Sequence, residues 1–149
     1  MKIGIISDTH GSFKEEWKEY LTECDCIIHA GDFVKKECYE AFEGLGIPLY
    51  AVRGNCDYTS WASFLSKSIK FPLNGKVFYV VHDSTELPFD LTDIDFIIYG
   101  HSHHYEYNEK FGKVYLNPGS AKDGRGTPKS MVQLELNDNS YEINRIILE

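Results

Sequence analysis

The sequence predicts an α/β fold in which two mixed β-sheets pack as a sandwich flanked by helices. Its first half alternates apolar runs with amphipathic stretches, which is typical of βα units and a parallel sheet. Its second half contains short strand patterns separated by turns and closes with a hairpin. The chain has 149 residues, 42% of them hydrophobic and 26% charged. This size and composition predict one globular domain spanning residues 1–149.

The first half predicts parallel strands joined by helices. Residues 2–7 form a continuous apolar run, typical of a strand buried on both faces. Phe13, Trp17 and Leu21 recur every four residues among Lys and Glu, which indicates an amphipathic helix. The remaining elements of this half are a strand at 26–29, a helix at 35–43 and a strand at 48–52. Three βα units in succession predict right-handed crossovers.

The second half predicts further strands, some of them antiparallel. Strands at 69–71 and 76–82 flank turn residues 73–75. Two more are expected at 95–99 and 114–116. Apolar residues then alternate with polar ones on both sides of the turn at 137–139, which predicts a C-terminal hairpin. Parallel units followed by antiparallel strands predict the two-sheet sandwich.

Charge and composition restrict the classes of function. The net charge of −8 disfavours a stable complex with nucleic acid, which needs many Lys and Arg contacts to phosphates. No apolar run approaches the ~20 residues that span a bilayer, and the N-terminus has no signal-peptide pattern. The four cysteines include no Cys-x-x-Cys pair. We therefore expect a cytoplasmic protein with reduced thiols and no membrane partner.

Polar side chains follow the predicted strands at the points where ligands bind in α/β sheets. The candidates are Asp8, His10, Asp32, Asn55, Cys56, Asp57, His82, His101 and His103. Carboxylates together with imidazoles suit Mn²⁺, Fe²⁺, Zn²⁺ or Ni²⁺ better than Ca²⁺ or Mg²⁺. The two Asp, one Asn and four His among them are too many ligands for one four-coordinate ion. They suit two ions about 3.5–4 Å apart that share a carboxylate.

Local patterns around these residues predict how they converge. Glycines 31, 54 and 100 directly precede ligand segments, where a residue without Cβ permits a sharp turn. Asp8 and His10 are two residues apart, as are His101 and His103. In an extended segment, residues two apart project to one side. We therefore expect each pair to face the same centre.

The segments Asp-x-His, Gly-Asp, Gly-Asn-x-Asp, a single His and Gly-His-x-His, in this order, resemble the calcineurin-like metallophosphoesterase superfamily. The forms Asp-Thr-His-Gly, His-Ala-Gly-Asp, Gly-Asn-Cys-Asp and Asn-Pro-Gly-Ser are similar to its small prokaryotic phosphodiesterase branch. The resemblance extends from the first strand to about residue 130 and implies a four-layer αββα arrangement. It also implies one metal on Asp8, His10 and His103, another on Asn55, His82 and His101, and Asp32 as the bridge. A hydroxide shared by the two ions would attack phosphorus in line.

Two positions differ from the common pattern of the superfamily. A single His at a strand end, such as His82, is either a ligand or a hydrogen-bonded residue. Relatives usually carry Gly after it, whereas Asp83 follows here and adds a carboxylate at the rim. Cys56 stands where many members have His, and a thiol with a pKa of about 8.5 is a poor substitute for an imidazolium. This weakens protonation of the leaving group and favours diesters or good leaving groups.

The remaining candidates have open or structural roles. Asp57 either orients a His or a metal-bound water, or caps a helix. Residues 117–120 are expected to form a structural turn at the edge of the site. Arg125 and Lys129 are interpreted as part of a solvated loop, although contact with a substrate phosphate is the alternative. His29 and His104 are not placed as ligands.

These features predict a phosphodiesterase that needs two divalent ions, with Mn²⁺ first and Ni²⁺, Fe²⁺ or Zn²⁺ as alternatives. Its partner is a small phosphodiester substrate. A scaffold protein is one alternative, because a eukaryotic retromer subunit resembles this branch in fold and binds proteins, but such a scaffold loses part of the His set. A phosphomonoesterase is the other alternative, and Cys56 disfavours it. The ten Tyr and nine Phe leave room for a homo-oligomer interface.

Overall fold

A computed structural model describes all 149 residues, with ten strands and two α-helices. The strands are β1 (Lys2–Ile6), β2 (Cys26–His29), β3 (Leu49–Ala51), β4 (Ser68–Leu73), β5 (Lys76–Val81), β6 (Phe96–Ile98), β7 (Glu106–Lys110), β8 (Lys113–Asn117), β9 (Ser130–Leu136) and β10 (Tyr141–Ile147). The α-helices are α1 (Glu15–Leu21) and α2 (Lys36–Glu43), and short 3-10 helices lie at Ser60–Phe64 and Ser84–Glu86. Neither α-helix has the length and apolar character needed to span a bilayer.

The strands form two five-stranded mixed sheets. The first has the order β10-β9-β1-β2-β3, in which β1, β2 and β3 are parallel and β9 is antiparallel to both its neighbours. The second has the order β4-β5-β6-β8-β7, with β5, β6 and β8 parallel and both edge strands antiparallel. The predicted fold class is confirmed, including the C-terminal hairpin of β9 and β10.

The main core lies between the two sheets. It contains sixteen buried residues, among them Ile5 and Ile28 from the first sheet and Phe78 and Phe96 from the second. The rings of Phe78 and Phe96 stack with centroids 4.7 Å apart. A second core of twelve buried residues joins the other face of the first sheet to α1 and α2, with Trp17 at its centre. The first sheet is therefore apolar on both faces, as its continuous apolar runs predicted.

The outer face of the second sheet has no α-helix. Its small cluster of Val81, Ile94, Ile97 and Tyr99 is covered by the segment at 82–95, which contains one turn of 3-10 helix. Within this segment the side chains of two Asp residues accept hydrogen bonds from backbone N–H groups two residues later. These Asx turns compete with helix formation. The fourth layer is thus an irregular segment where the αββα arrangement led us to expect helices.

Three local elements differ from the expectations. Helix α1 begins at Glu15, so Phe13 lies before it and packs edge-on against Phe42 at 4.8 Å. Strand β3 is followed by a 3-10 helix and not by a third α-helix. Strand β7 was not predicted, because all five of its residues are exposed and its sequence has no apolar alternation. Its pairing with β8 depends on the turn between them.

Candidate metal centre

The candidate ligands converge because neighbouring parallel strands end at the same edge of the first sheet. The loop after β1 continues to pair with the loop after β2: the Asp8 N–H donates to Gly31 O at 3.0 Å, and the His10 N–H donates to Asp32 O at 3.0 Å. From the second sheet, His82 follows β5, and His101 and His103 follow β6. The two sheets therefore deliver side chains to one place from both sides.

The first group of donor atoms contains Asp8, His10 and His103, which lie within 4.8 Å of one another. Asp8 Oδ1 is 3.3 Å from His103 Nε2 and 3.8 Å from His10 Nε2. Each of these three atoms is buried and has no hydrogen-bond partner within the protein. Leaving buried polar atoms unpaired is costly. The fit to a bound cation is good, because a carboxylate and two imidazoles suit first-row divalent ions.

Asp32 and His82 extend this group to a second position. Asp32 Oδ2 lies 3.3 Å from His82 Nε2 and 3.5 Å from His10 Nε2, so the carboxylate stands between the two sides of the cluster. His82 is 3% exposed, and its Nδ1 donates to Ala30 O at 2.7 Å. One ring nitrogen of His82 is therefore hydrogen-bonded, and the other faces the carboxylates without a partner, where it is available as a ligand.

Asn55 and His101 form the exposed rim of this second position. His101 Nδ1 lies 3.2 Å from Asn55 Oδ1. On the other side of the ring, Asp83 Oδ2 is 3.8 Å from His101 Nε2. The His101 ring therefore lies between the Asn55 amide and the Asp83 carboxylate.

The buried histidines are oriented by backbone carbonyl groups. His103 Nδ1 donates to Asp123 O at 2.6 Å, and His82 Nδ1 donates to Ala30 O. In each case the other nitrogen, Nε2, points into the cluster. Ligating histidines in metalloproteins characteristically use their second nitrogen in this way, which fixes the tautomer and the ring plane.

The backbone of the ligand loops is unusual. Five of the seven candidate metal ligands have positive φ angles of 43–72°, namely Asp8, His10, Asp32, His101 and His103. The expectation that each two-residue pair lies in an extended segment is therefore wrong. Left-handed backbone, which costs about 1–3 kcal/mol per residue, turns each side chain inward. Such strain persists where the surrounding contacts impose it, and it concentrates at functional sites.

Two glycines give these loops the space to approach each other. A Cβ at Gly54 would collide with the carboxylate of Asp32, and one at Gly100 would collide with Ser7 Oγ and the Asp8 carboxylate. Neither glycine has a positive φ. Gly54 and Gly100 therefore allow neighbouring ligand loops to approach each other closely. The sharp turn predicted from the sequence is found at Gly31, whose φ is 102°.

The cluster concentrates negative charge that imidazoles or cations must balance. Burial lowers the pKa of the His82 imidazole, but the carboxylates of Asp32 and Asp8 outweigh it and raise that pKa to about 9. Burial raises the pKa of the Asp8 carboxyl, yet the neighbouring imidazoles of His10, His103 and His82 outweigh burial and hold that pKa well below the usual value. Two buried carboxylates facing several imidazoles thus form a group of donors of the types that bind divalent cations.

Asp57 neither orients a His or a metal-bound water nor caps a helix, the two roles considered from the sequence. It is 1% exposed, and its carboxylate accepts backbone N–H groups from Asp32 at 2.9 Å, Val34 at 2.7 Å and Gly54 at 2.9 Å. It therefore ties the loop that carries Asp32 to the loop that carries Asn55. No His contacts it, and the next helix begins at Ser60, beyond capping distance.

Cys56 lies at the edge of the cluster. Its Sγ lies within 4.8 Å of donor atoms of His10 and Asp32. Burial, with the nearby Asp32 carboxylate, raises the pKa of the thiol to about 11. The group is therefore a neutral and weak hydrogen-bond donor at neutral pH, as the sequence predicted.

The secondary candidates also have clear positions. Asn117 Nδ2 donates to Gly100 O at 3.0 Å, and Ser120 Oγ donates to Asp8 O at 2.8 Å, so the turn at 117–120 supports the ligand loops. His29 is buried between Gly31 N–H and Thr9 Oγ1, away from the donor cluster. Motif spacing could not reveal these supporting side chains, because they form hydrogen bonds with backbone groups of the ligand loops.

The surface residues near the site make weaker contacts. Arg125 reaches His101 O with Nη1 at 3.4 Å, and His104 Nε2 lies 3.4 Å from Arg125 O. Both side chains are exposed. The side chain of Lys129 makes no hydrogen bond or ion pair within the protein, as expected for a solvated loop.

Comparison with known proteins identifies the family. Residues 1–139 match the calcineurin-like phosphoesterase superfamily domain. The chain belongs to this superfamily. The resemblance that the motifs indicated is therefore confirmed over most of the chain.

Curated relatives and solved structures agree with this assignment. The chain is 28% identical to the phosphodiesterase MJ0936 of Methanocaldococcus jannaschii, over 80% of this chain and 83% of the relative. It is 32% identical to the probable metallophosphoesterase MJ0623 of the same organism, over 93% and 77% of the two chains. It superposes with a TM-score of 0.77 on the wild-type Vps29 of Entamoeba histolytica complexed with Zn²⁺, at 22% identity and 99% coverage of both chains. This last likeness concerns the fold.

Proposed function

We propose that this protein is a two-metal-dependent phosphodiesterase. One observation carries the proposal: Asp8 Oδ1 and the Nε2 atoms of His10, His82 and His103 are buried, unpaired and directed at a common space beside Asp32. A constellation of unpaired donors of these types is suited to metal ions. The relative MJ0936 is named a phosphodiesterase, which supports phosphodiester hydrolysis as the reaction.

The residues divide into two overlapping ligand sets. Asp8, His10 and His103 would hold one ion, the set Asn55, His82 and His101 would hold the other, and Asp32 would belong to both. When bound, two such ions supply an activated water and neutralise charge on the phosphoryl oxygens. Mixed carboxylate and imidazole ligands favour Mn²⁺, with Ni²⁺, Fe²⁺ or Zn²⁺ as alternatives.

The surroundings of Asn55 favour diesters over alkyl monoesters. The residue after it, Cys56, is a neutral thiol and a poor proton donor. Asp57 is occupied by three backbone N–H groups and cannot donate a proton to the leaving group. The imidazole next to Asn55 is that of His101, which is itself a candidate metal ligand. Esters with good leaving groups need this assistance least.

A scaffold protein is the alternative that the fold allows, since Vps29 structures superpose on the chain. The completeness of the ligand set favours the enzyme. All seven candidate metal ligands are present, and five of them hold left-handed backbone conformations, which concentrate at functional sites.

The direct test is hydrolysis of bis-p-nitrophenyl phosphate after chelator treatment and addition of Mn²⁺. We expect metal-dependent turnover in the wild type and the loss of both bound ions and of turnover in Asp32→Asn, because both ions share Asp32. His104→Gln is the matched control, since that imidazole is exposed and belongs to none of the groups of candidate ligands. Wild-type protein without bound metal and without turnover would refute the proposal. Asp32→Asn with two ions and full activity would refute the ligand assignment.

A further inference from the structure

A polar groove leads away from the candidate metal centre beside Asn55. It consists of two adjoining cavities of about 90 Å³ and 420 Å³, which share Arg53, Gly54, Asn55 and Lys67. Asn55 is also a candidate metal ligand, so the groove starts at the metal centre. A substrate held at the metals would extend one of its arms into this groove.

The two ends of the groove differ in charge. The smaller cavity, on the side of His82, is lined by the carboxylates of Asp83 and Glu86 in addition to the two shared cations, Arg53 and Lys67. The larger cavity contains one carboxylate, Asp57, and both of its oxygens accept backbone N–H groups. The free charges of the larger cavity are therefore the two cations, Arg53 and Lys67.

The cations and the hydroxyl groups of the larger cavity have no partner within the protein. Arg53 is half-buried, yet its guanidinium makes no hydrogen bond and no ion pair. The Lys67 ammonium is equally free. Three hydroxyl groups that also have no partner line the same cavity, those of Thr59, Ser60 and Ser63. A guanidinium, an ammonium and three hydroxyls in one cavity match the acceptor oxygens of a phosphate group.

An aromatic side chain stands beside these donors. Tyr58 is 83% exposed and lines the larger cavity. Its ring offers a flat apolar face to an adjacent part of a substrate, such as a nucleobase. An exposed aromatic next to free cations is the arrangement that proteins use to hold phosphorylated aromatic ligands.

We propose that the larger cavity is a subsite for a second phosphate group on the substrate, held by Arg53 and Lys67. This inference rests on the proposed phosphodiesterase function and specifies its substrate class: a phosphodiester with one arm that carries a further phosphate, as in a phosphorylated nucleoside. The net charge of the whole chain, −8, does not oppose phosphate binding in the larger cavity, because Arg53 and Lys67 are the only free charges that line this cavity.

The test uses two substrates that differ by one phosphate, thymidine 5′-(p-nitrophenyl phosphate) with and without a 3′-phosphate. We expect the wild type to prefer the 3′-phosphorylated compound at least tenfold in kcat/KM, since bonds to charged groups are the strong ones. In Arg53→Gln/Lys67→Gln this ratio is expected to fall to about one, while Arg53→Lys keeps part of it because the positive charge is retained. The control Lys18→Gln/Lys36→Gln removes two exposed cations elsewhere and is expected to keep the wild-type ratio.

The outcomes separate the subsite from the proposed function. Metal-dependent turnover of both compounds without preference would overturn the subsite and leave the phosphodiesterase proposal in place. A preference that survives Arg53→Gln/Lys67→Gln would also overturn it. Calorimetric titration with thymidine 3′,5′-bisphosphate and thymidine 5′-phosphate tests the cavity without turnover. Equal affinities of the wild type for both compounds would contradict the subsite even in protein that hydrolyses nothing.

Discussion

Asp57 offers the sharpest test of how the candidate site is held together. The change to Asn preserves the shape of the side chain and removes its charge and one acceptor. In the wild type, Oδ2 accepts the N–H groups of Asp32 and Gly54, and Oδ1 accepts that of Val34. An Asn can keep its oxygen at the first position, but its NH₂ group then faces the N–H of Val34. One hydrogen bond is lost, and two become neutral.

The cost follows from these three bonds. A hydrogen bond to a charged group contributes about 1.5–3 kcal/mol, and a neutral one about half of this. Asp57→Asn loses one such bond and weakens two others, but it also removes the cost of burying a charge. The net effect is to destabilise the fold by about 2–4 kcal/mol. For a chain of this size we expect the midpoint of thermal unfolding to fall by about 5–15 °C.

Urea unfolding followed by circular dichroism measures this difference in the free energy of unfolding. The control is Asp138→Asn, an exposed turn carboxylate with no hydrogen bond to its side chain, and it is expected to change stability by less than ~0.5 kcal/mol. If Asp57→Asn were as stable as Asp138→Asn, the three bonds would not hold the two loops, and this explanation of the site would be wrong.

Three other perturbations test further parts of the site. Cys56→His is expected to raise the kcat/KM ratio of p-nitrophenyl phosphate to its diester, and an unchanged ratio would show that position 56 does not govern leaving-group protonation. Asp83→Ala is expected to weaken binding of the second ion by about 10–100-fold because the negative charge beside His101 is lost; unchanged binding in a metal titration would refute this. Burial lowers the pKa of His29 to about 3. Since its unfolded pKa is about 6.5, the stability that neutral His29 contributes is present above pH 6.5 and declines as the pH falls towards 3. Its ring ¹⁵N shifts in NMR spectra should therefore stay constant from pH 8 to 5, and a midpoint near 6 would contradict its buried position.

Hydrophobic patterning predicted much of the fold, because buried strands and helices leave a periodic signal. The continuous apolar run of β1 and the alternation in β9 both report burial directly. Strand β7 leaves no such signal, since it is an exposed edge strand that contacts its neighbour through the backbone. The segment at 82–95 was also out of reach, because its Asx turns depend on local geometry.

The ligand types of the candidate site were predictable, but the means of assembling them were not. Motif order located Asp8, Asp32 and His82, and the structure brings them together. The left-handed backbone of the ligand loops arises from tertiary contacts, so two-residue spacing gave the wrong local conformation. Arg53 and Lys67 belong to no motif, and their proximity depends on how the chain folds back between residues 53 and 66.

The central claim is that two metal ions share Asp32. A crystal of the protein loaded with Mn²⁺, measured at the manganese absorption edge, tests it most directly. We predict two anomalous peaks about 3.5–4 Å apart, one beside Asp8, His10 and His103 and the other beside His82, with the Asp32 carboxylate contacting both. A single peak, or two peaks of which one lies beyond the reach of Asp32, would contradict the shared-carboxylate centre.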